Sequence, residues 1–163
     1  MRQIILVFLL TFSMPLLADK PSDIRINVIG TFDANHVLSG TFTASGFVNE
    51  LGSLLDTPLF SGQAIHISRL LTTSHGEYIT IEINANHIAG LNVTPPDWCP
   101  PPPTPEGTLL FFQTGNWRVV SGTGPFSLLS GTGSRASWVL LDAGSFTPIA
   151  ATECLIGKVK NVP

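Results

Sequence analysis

The sequence predicts an all-β protein that folds as a single antiparallel β-barrel of about eight strands. Short stretches with apolar residues at every second position recur along the chain and are separated by Gly, Pro, Asn and Asp, which is typical of strands with one buried face. After the amino-terminal region, no segment of helical length carries an apolar stripe at helical spacing. Many short strands with frequent turns favour a sandwich or a barrel, and a closed barrel leaves no exposed sheet edge.

Residues 1–18 have the layout of a secretory signal peptide. Arg2 precedes an unbroken apolar run at 4–10, and Pro15 comes shortly before Ala18. This run is shorter than the about 20 apolar residues that a membrane span needs. We therefore expect cleavage after Ala18, a secreted or periplasmic protein without a membrane span, and one β-barrel domain over 19–163. An uncleaved anchor is the alternative.

The composition excludes some partners and suggests a disulfide. The formal net charge is −3 and only 12% of the residues are charged, against about 25% in a typical domain. Because there is no basic stripe, we expect no binding to nucleic acid. In an oxidising compartment the two cysteines, Cys99 and Cys154, are expected to pair. Free thiols or an intermolecular bond are the alternatives.

The first half of the mature chain shows the two-residue period of β-strands. Ile24, Ile26 and Val28 alternate with polar residues, Gly30 ends this run, and a second strand is predicted at 40–46.

The clearest local prediction is a β-hairpin with strands at 63–72 and 77–85 around a turn at 73–76. Isoleucine occupies alternate positions of its second strand, so that one face is expected to be buried. These positions are Ile79, Ile81 and Ile83.

The second half of the chain contains further short strands and one long loop. The strands are predicted at 108–113, 117–121, 134–141 and 154–159. The proline-rich segment 92–107 cannot form an interior strand, because proline lacks an amide donor. We expect it to be a stiff loop held by Cys99, and a partner-binding segment is the alternative.

The glycine-rich stretch 122–131 is predicted to be a structural turn. It lacks the lysine of a phosphate loop, and no helix follows it as a dinucleotide site requires. Pro125 can begin a single helical turn there. The turn residues are Gly122, Gly124, Pro125, Phe126 and Gly131, and apolar side chains from this turn, Phe126 and Leu129, are expected to plug one end of the barrel.

The segment 116–133, NWRVVSGTGPFSLLSGTG, resembles the signature of the allene oxide cyclase-like barrels, a calycin-related group that includes dirigent proteins and bacterial secreted proteins. The stretches 40–46 and 66–81 also resemble the bacterial members. The resemblance implies a barrel whose lumen holds an apolar ligand, and group activities that include cyclisation of fatty-acid epoxides. No acidic lumen residue of the group matches here by motif, and the proline segment and the cysteine pair depart from the plant pattern.

The candidate ligand-binding residues are three tryptophans and one arginine. Trp98 lies in the proline-rich loop beside Cys99, where its indole is expected to cap the barrel mouth. Trp117 and Trp138 lie in predicted strands and either line the lumen or pack in the core.

The sequence leaves open whether the Arg69 side chain faces the lumen or the solvent. If Ile65 and Ile67 face inward, regular alternation turns Arg69 inward too, where it needs a carboxylate partner or a polar ligand. A β-bulge instead leaves it exposed. His66 lies on the opposite face from Arg69, and Glu82 is predicted opposite the isoleucines, so the hairpin alone provides no lumen ion pair.

No motif states a reaction. The four histidines are too scattered for a recognised metal site, there is no nucleophile elbow, and no cofactor is implied. The expected role is therefore non-enzymatic binding of a small apolar ligand in or at the barrel mouth. The alternatives are a cyclase or isomerase that uses a lumen acid, with Glu82 and Asp33 as the first carboxylates to test, and a structural or partner-binding module acting through the proline-rich loop. The oligomeric state stays open.

Overall fold

The computed structural model describes residues 20–61, 64–89 and 94–162. Eight antiparallel strands form a closed barrel in which each strand pairs with its neighbours in sequence and β8 pairs with β1. The expected signal peptide lies outside the described residues. The strands are β1 (Ser22–Phe32), β2 (Leu38–Gly46), β3 (Glu50–Ser61), β4 (Ala64–Thr73), β5 (Tyr78–Ala89), β6 (Thr108–Gly122), β7 (Leu129–Asp142) and β8 (Pro148–Asn161).

The predicted barrel is confirmed, and so is the hairpin, which forms β4 and β5. β7 and β8 begin earlier than the predicted 134 and 154, at Leu129 and Pro148. Two further elements differ in kind from the sequence prediction. No strand was predicted at β3, whose sequence ELGSLLDTPLFS contains glycine and proline and lacks β-branched apolar residues. The two strands predicted at 108–113 and 117–121 are one strand, β6, because Gly115 is paired with Ala85 and does not end the ladder.

The barrel has two different ends. At the closed end, which carries the β4–β5 and β6–β7 turns, the lumen is filled by apolar side chains with almost no exposed surface. The alternating pattern of β1 delivers three of them, and the isoleucines of β5 deliver three more. The residues are Ile24, Ile26, Val28, Ile79, Ile81 and Ile83. At the open end lie the β1–β2 and β7–β8 loops.

A single 3₁₀ turn, Gly124–Phe126, closes the filled end. Pro125 lies in its first positions, as predicted, and Gly124 has a positive φ of 53° that favours glycine. The side chains of Phe126 and Leu129 are buried in the lumen cluster. The stretch is therefore a structural plug.

Trp117 packs inside the closed half, and two glycines make room for it. Its indole nitrogen donates a hydrogen bond to the carbonyl of Ile156 at 3.2 Å. A Cβ at Gly133 would lie 2.6 Å from that nitrogen, and a Cβ at Gly157 would lie 2.6 Å from ring atom Cζ2. The backbone carbonyl oxygens of Ile156 and Thr132 would be closer still, at 2.0 and 2.3 Å respectively. Because these distances are too short for a carbon atom, the ring and the neighbouring backbone together require glycine at both positions.

The described part of the proline-rich segment, 94–107, lies on the outer wall. A disulfide joins Cys99 to Cys154 of β8, with Cα atoms 5.6 Å apart, as predicted. Around it pack the half-buried Trp98 and the aromatic pair Phe112 and Trp138, whose ring centroids are 4.5 Å apart. We call the segment 94–107 with this disulfide the outer cap. Among the described residues, no helix has the length and apolar character required to span a membrane.

We predict that Gly133→Ala destabilises the barrel by about 1 to 3 kcal/mol, because the added methyl group overpacks the space between Trp117 and the Ile156 carbonyl. Urea unfolding followed by tryptophan fluorescence measures this change. Gly144→Ala is the matched control, since a Cβ there meets only the Asp142 carboxylate, at 3.4 Å. Equal stability of the Gly133→Ala variant and the wild type would contradict this packing.

Candidate functional site

The open half of the lumen contains a cavity of about 280 Å³. Its walls are mainly apolar and, among the described residues, come from seven strands, all except β5, and from the β1–β2 loop. Unlike the residues of the closed half, many wall residues are only half-buried. They include Phe32, Ile65, Ile67, Phe111 and Leu141.

The cavity floor is a layer of charged side chains that crosses the lumen. Arg69 of β4 is fully buried and donates two parallel hydrogen bonds to Asp56 of β3, Nε to Oδ1 at 2.6 Å and Nη2 to Oδ2 at 2.7 Å. Its remaining nitrogen, Nη1, donates to Oε2 of Glu153 at 2.6 Å. Since β4 and β8 lie on opposite sides of the eight-stranded barrel, Arg69 ties the two walls together.

Glu153 also accepts hydrogen bonds from β7. Arg135 donates from Nε to Oε2 at 3.2 Å and from Nη2 to Oε1. The Ser137 hydroxyl donates to Oε1 at 3.0 Å. We call these five residues, Asp56, Arg69, Arg135, Ser137 and Glu153, the charged layer. Asp56, Arg135 and Glu153 also line the cavity.

One nitrogen of the charged layer has no hydrogen-bond partner in the part of the chain that the structure describes. Nη1 of Arg135 is buried and makes no hydrogen bond to any described residue. Arg135 as a whole is only 3% exposed. A guanidinium nitrogen donates and cannot accept, so this atom can satisfy only an acceptor.

The two carboxyl groups of the layer have pKa values shifted in opposite directions. Burial opposes ionisation of Glu153, but the adjacent Arg135 and Arg69 outweigh it and lower its pKa below the ordinary value of 4.5. For Asp56, burial raises the pKa more than the hydrogen bonds and charge of Arg69 lower it. Glu153 is therefore held ionised, whereas Asp56 is the group of the layer that more readily takes a proton.

The structure decides the position of Arg69. Ile67 packs against the lumen cluster, and regular alternation along β4 carries Arg69 inward. The alternative prediction, in which a β-bulge leaves Arg69 exposed, is wrong, because β4 pairs with β3 and β5 in unbroken register at this point. The required carboxylate partners come from β3 and β8 and not from the hairpin.

The three tryptophans lie at separate places. Trp117 is in the lumen but in the closed half, apart from the cavity walls. Trp138 is on the outer wall, where its indole nitrogen donates to the carbonyl of Cys99 at 3.0 Å. Trp98 lies in the outer cap beside Trp138 and Cys99 and does not line the cavity. The disulfide and a hydrogen bond from Arg25 of β1 hold its backbone outside the barrel. The geometry thus gives these indoles no contact with the cavity.

The carboxylates first considered for catalysis lie outside the lumen. Glu82 pairs with Arg118, and both side chains are substantially exposed. Asp33 accepts hydrogen bonds from two backbone amides of the β1–β2 loop. His66 is on the outer wall beside Asn84, whereas His36 lies at the rim of the cavity. In the described ranges, no group of His, Cys, Asp or Glu side chains is arranged to hold a metal ion.

Sequence reasoning missed Asp56, Arg135 and Glu153. The signal that existed was alternation: Glu153 lies two residues from the buried Ala151 and two from the buried Leu155. Asp56 has the same relation to Leu54, but β3 had not been recognised as a strand. In comparisons with protein-family models, curated proteins and solved structures, nothing matches this chain.

We predict that Glu153 makes the fold acid-sensitive. Because its pKa is lower in the folded chain, the unfolded chain takes up a proton first as the pH falls, so stability present above about pH 5 is lost on acidification. Glu153→Gln removes this proton uptake. The free energy of unfolding of this variant should therefore change less than that of the wild type between about pH 5 and pH 3.

Urea titrations at several pH values give the slope of the unfolding free energy against pH. This slope is compared between the two proteins, and the lower absolute stability expected for the variant does not enter the comparison. Glu82→Gln is the control, since its exposed ion pair contributes about 0 to 1 kcal/mol. Identical slopes for the wild type and Glu153→Gln would contradict the assigned pKa shift.

Proposed function

We propose that the protein binds a small apolar molecule in the open half of its lumen. The observation that carries the proposal is the cavity itself, a concave space of about 280 Å³ with apolar walls and a small number of fixed polar groups at its floor. This combination is typical of small-molecule sites, which measure about 300 to 1,000 Å³. A cavity just below the lower end of that range favours a small ligand.

The contrast between the two barrel halves supports this proposal. In the closed half, large side chains such as Trp117 and Phe126 fill the lumen. In the open half, Ile65, Ile67 and Phe111 present partly exposed apolar surface to the cavity. Covering such a side chain fully contributes about 1.5 to 3 kcal/mol. Covering this surface is a favourable contribution to the binding of an apolar ligand.

The charged layer supports the proposal by fixing the floor. Arg69 connects β3, β4 and β8, and Glu153 connects β8 to β7. A floor held by these hydrogen bonds is already ordered before a ligand enters, so binding costs less conformational entropy.

We further propose that the protein acts after export, in the secreted or periplasmic space, and that it is an allene oxide cyclase-like barrel. The disulfide between Cys99 and Cys154 fits an oxidising compartment. The closed antiparallel barrel of eight strands fits the fold that the resemblance implies. The resemblance also implies a ligand in the lumen.

We predict that Val139→Phe weakens binding of the neutral fluorophore aminoanthracene at least about tenfold, which corresponds to about 1.4 kcal/mol. Val139 lines the cavity, so the added ring occupies the space that the ligand needs. Fluorescence titration measures the affinity. Val120→Phe on the outer wall, where Val120 is 51% exposed, is the matched control and should bind as the wild type does. No binding to the wild type, or equal binding to both variants, would refute the proposal.

A second candidate function is acid-catalysed isomerisation or cyclisation, with Asp56 as the acid. Asp56 lines the cavity, is 5% exposed and has a raised pKa. It would donate a proton to a substrate oxygen and take one back as the product forms, so the reaction needs no other reactant. The two hydrogen bonds from Arg69 oppose protonation, and this makes binding the first candidate.

For this second candidate, Asp56→Asn should slow isomerisation of an unsaturated fatty-acid epoxide by about 10² to 10⁴-fold. Chromatography of the epoxide and its cyclic isomer measures the rate, and Glu82→Gln serves as the control. Absence of turnover by the wild type, or an equal rate in Asp56→Asn, would exclude Asp56 catalysis of this reaction and leave the binding proposal standing.

A further inference from the structure

Nη1 of Arg135 is the feature of the cavity floor that internal packing does not explain. The other described buried side-chain atom without a partner is Oδ1 of Asn161, near the end of β8. Arg135 differs because it lines the cavity and because its other two nitrogens are bound to Glu153. Its orientation is therefore fixed while one donor is left over. A buried donor without a partner costs free energy, and an acceptor that meets it recovers that cost.

The formal charge of the layer limits what this acceptor is. Arg69 and Arg135 carry two positive charges, and Asp56 and Glu153 carry two negative charges when ionised. The buried layer is then neutral. An incoming carboxylate would add an uncompensated negative charge beside Glu153 and Asp56, which burial makes costly. An ammonium group would meet a donor instead of an acceptor.

We propose that the ligand of the lumen is a neutral apolar molecule with one hydrogen-bond acceptor oxygen, as in a ketone, an ester or an ether, and that this oxygen accepts from Nη1 of Arg135. This inference rests on the proposed function and specifies its ligand class. The apolar part of the molecule lies against the upper walls, which include Ile67, Phe111 and Leu141. The acceptor points down to the floor.

Three ligands of equal chain length should differ in affinity: an alkane, a methyl ketone and a carboxylate. We expect a medium-chain methyl ketone to displace aminoanthracene at about tenfold lower concentration than the alkane, because a hydrogen bond from a charged donor adds to the same apolar burial. At neutral pH the carboxylate is expected to compete less well than the ketone, since its charge is uncompensated.

Variants test whether Arg135 is the donor. Arg135→Lys keeps the positive charge beside Glu153 but removes the spare guanidinium nitrogen, so the ketone should lose its advantage over the alkane while alkane binding is kept. Ser137→Ala is the matched control. It removes another donor to Glu153 and leaves Nη1 of Arg135 in place, so the ketone keeps its advantage. Gln113→Leu removes a side-chain amide that also lines the cavity and could donate to the ketone. The ketone should keep its advantage over the alkane in this variant too.

A measurement on the unaltered protein covers the case in which Arg135→Lys does not fold. The infrared carbonyl stretch of the bound ketone should lie at lower frequency than that of the ketone in an alkane solvent, because a hydrogen bond from a guanidinium weakens the C=O bond. An unshifted carbonyl band would overturn the inference.

The possible failures are distinguishable. Three outcomes would overturn the ligand class and leave apolar binding intact. The first is equal displacement by ketone and alkane, and the second is better displacement by the carboxylate. The third is a ketone advantage that persists in Arg135→Lys but disappears in Gln113→Leu. If the wild type binds neither aminoanthracene nor any of the three ligands, the proposed function fails and the ligand class fails with it.

Discussion

The structure depends on the guanidinium of Arg69, which is fully buried in the middle of the lumen. A charge in this position is tolerated only with ionic and hydrogen-bonding partners. Asp56 and Glu153 provide them from β3 and from β8, which is on the far side of the barrel. The side chain thus fixes the distance between opposite walls. It also divides the lumen into a packed apolar half below and a cavity above.

Stability alone does not explain this layer. Ion pairs buried in a protein are often no more stabilising than apolar side chains of the same volume, because desolvation offsets their attraction. The closed half shows that this chain can fill its lumen with isoleucine, phenylalanine and tryptophan. Four charged side chains above that packing are better explained by what they do for the cavity. They give it a floor that is rigid and polar, and one buried donor of that floor, Nη1 of Arg135, has no partner among the described residues.

Sequence reasoning reached the features that a few residues of restricted chemistry encode. The hairpin of β4 and β5, the 3₁₀ turn at Pro125 and the pairing of Cys99 with Cys154 each depend on residues whose own chemistry restricts the chain. The charged layer is different, because it is assembled from two pairs of strands, β3 with β4 and β7 with β8, that are distant from each other in sequence. From sequence alone, an arginine in a strand such as Arg69 can face the lumen or the solvent. Only the positions of its carboxylate partners decide between the two faces. Asp56 was hidden in the strand with the weakest β pattern, β3.

The outer cap and the charged layer act on the same two strands from opposite sides. Along β8, Glu153 points into the lumen and the next residue, Cys154, points out to the disulfide. On β7, Ala136 pairs with Cys154 and Ser137 pairs with Glu153. The backbone that positions the acceptor of both arginines is therefore clamped on its outer side by Cys99 and Trp138. Because a strand cannot shift one face without shifting the other, the oxidised cap and the cavity floor support each other mechanically. This gives the disulfide a role in the geometry of the site in addition to its role in stability.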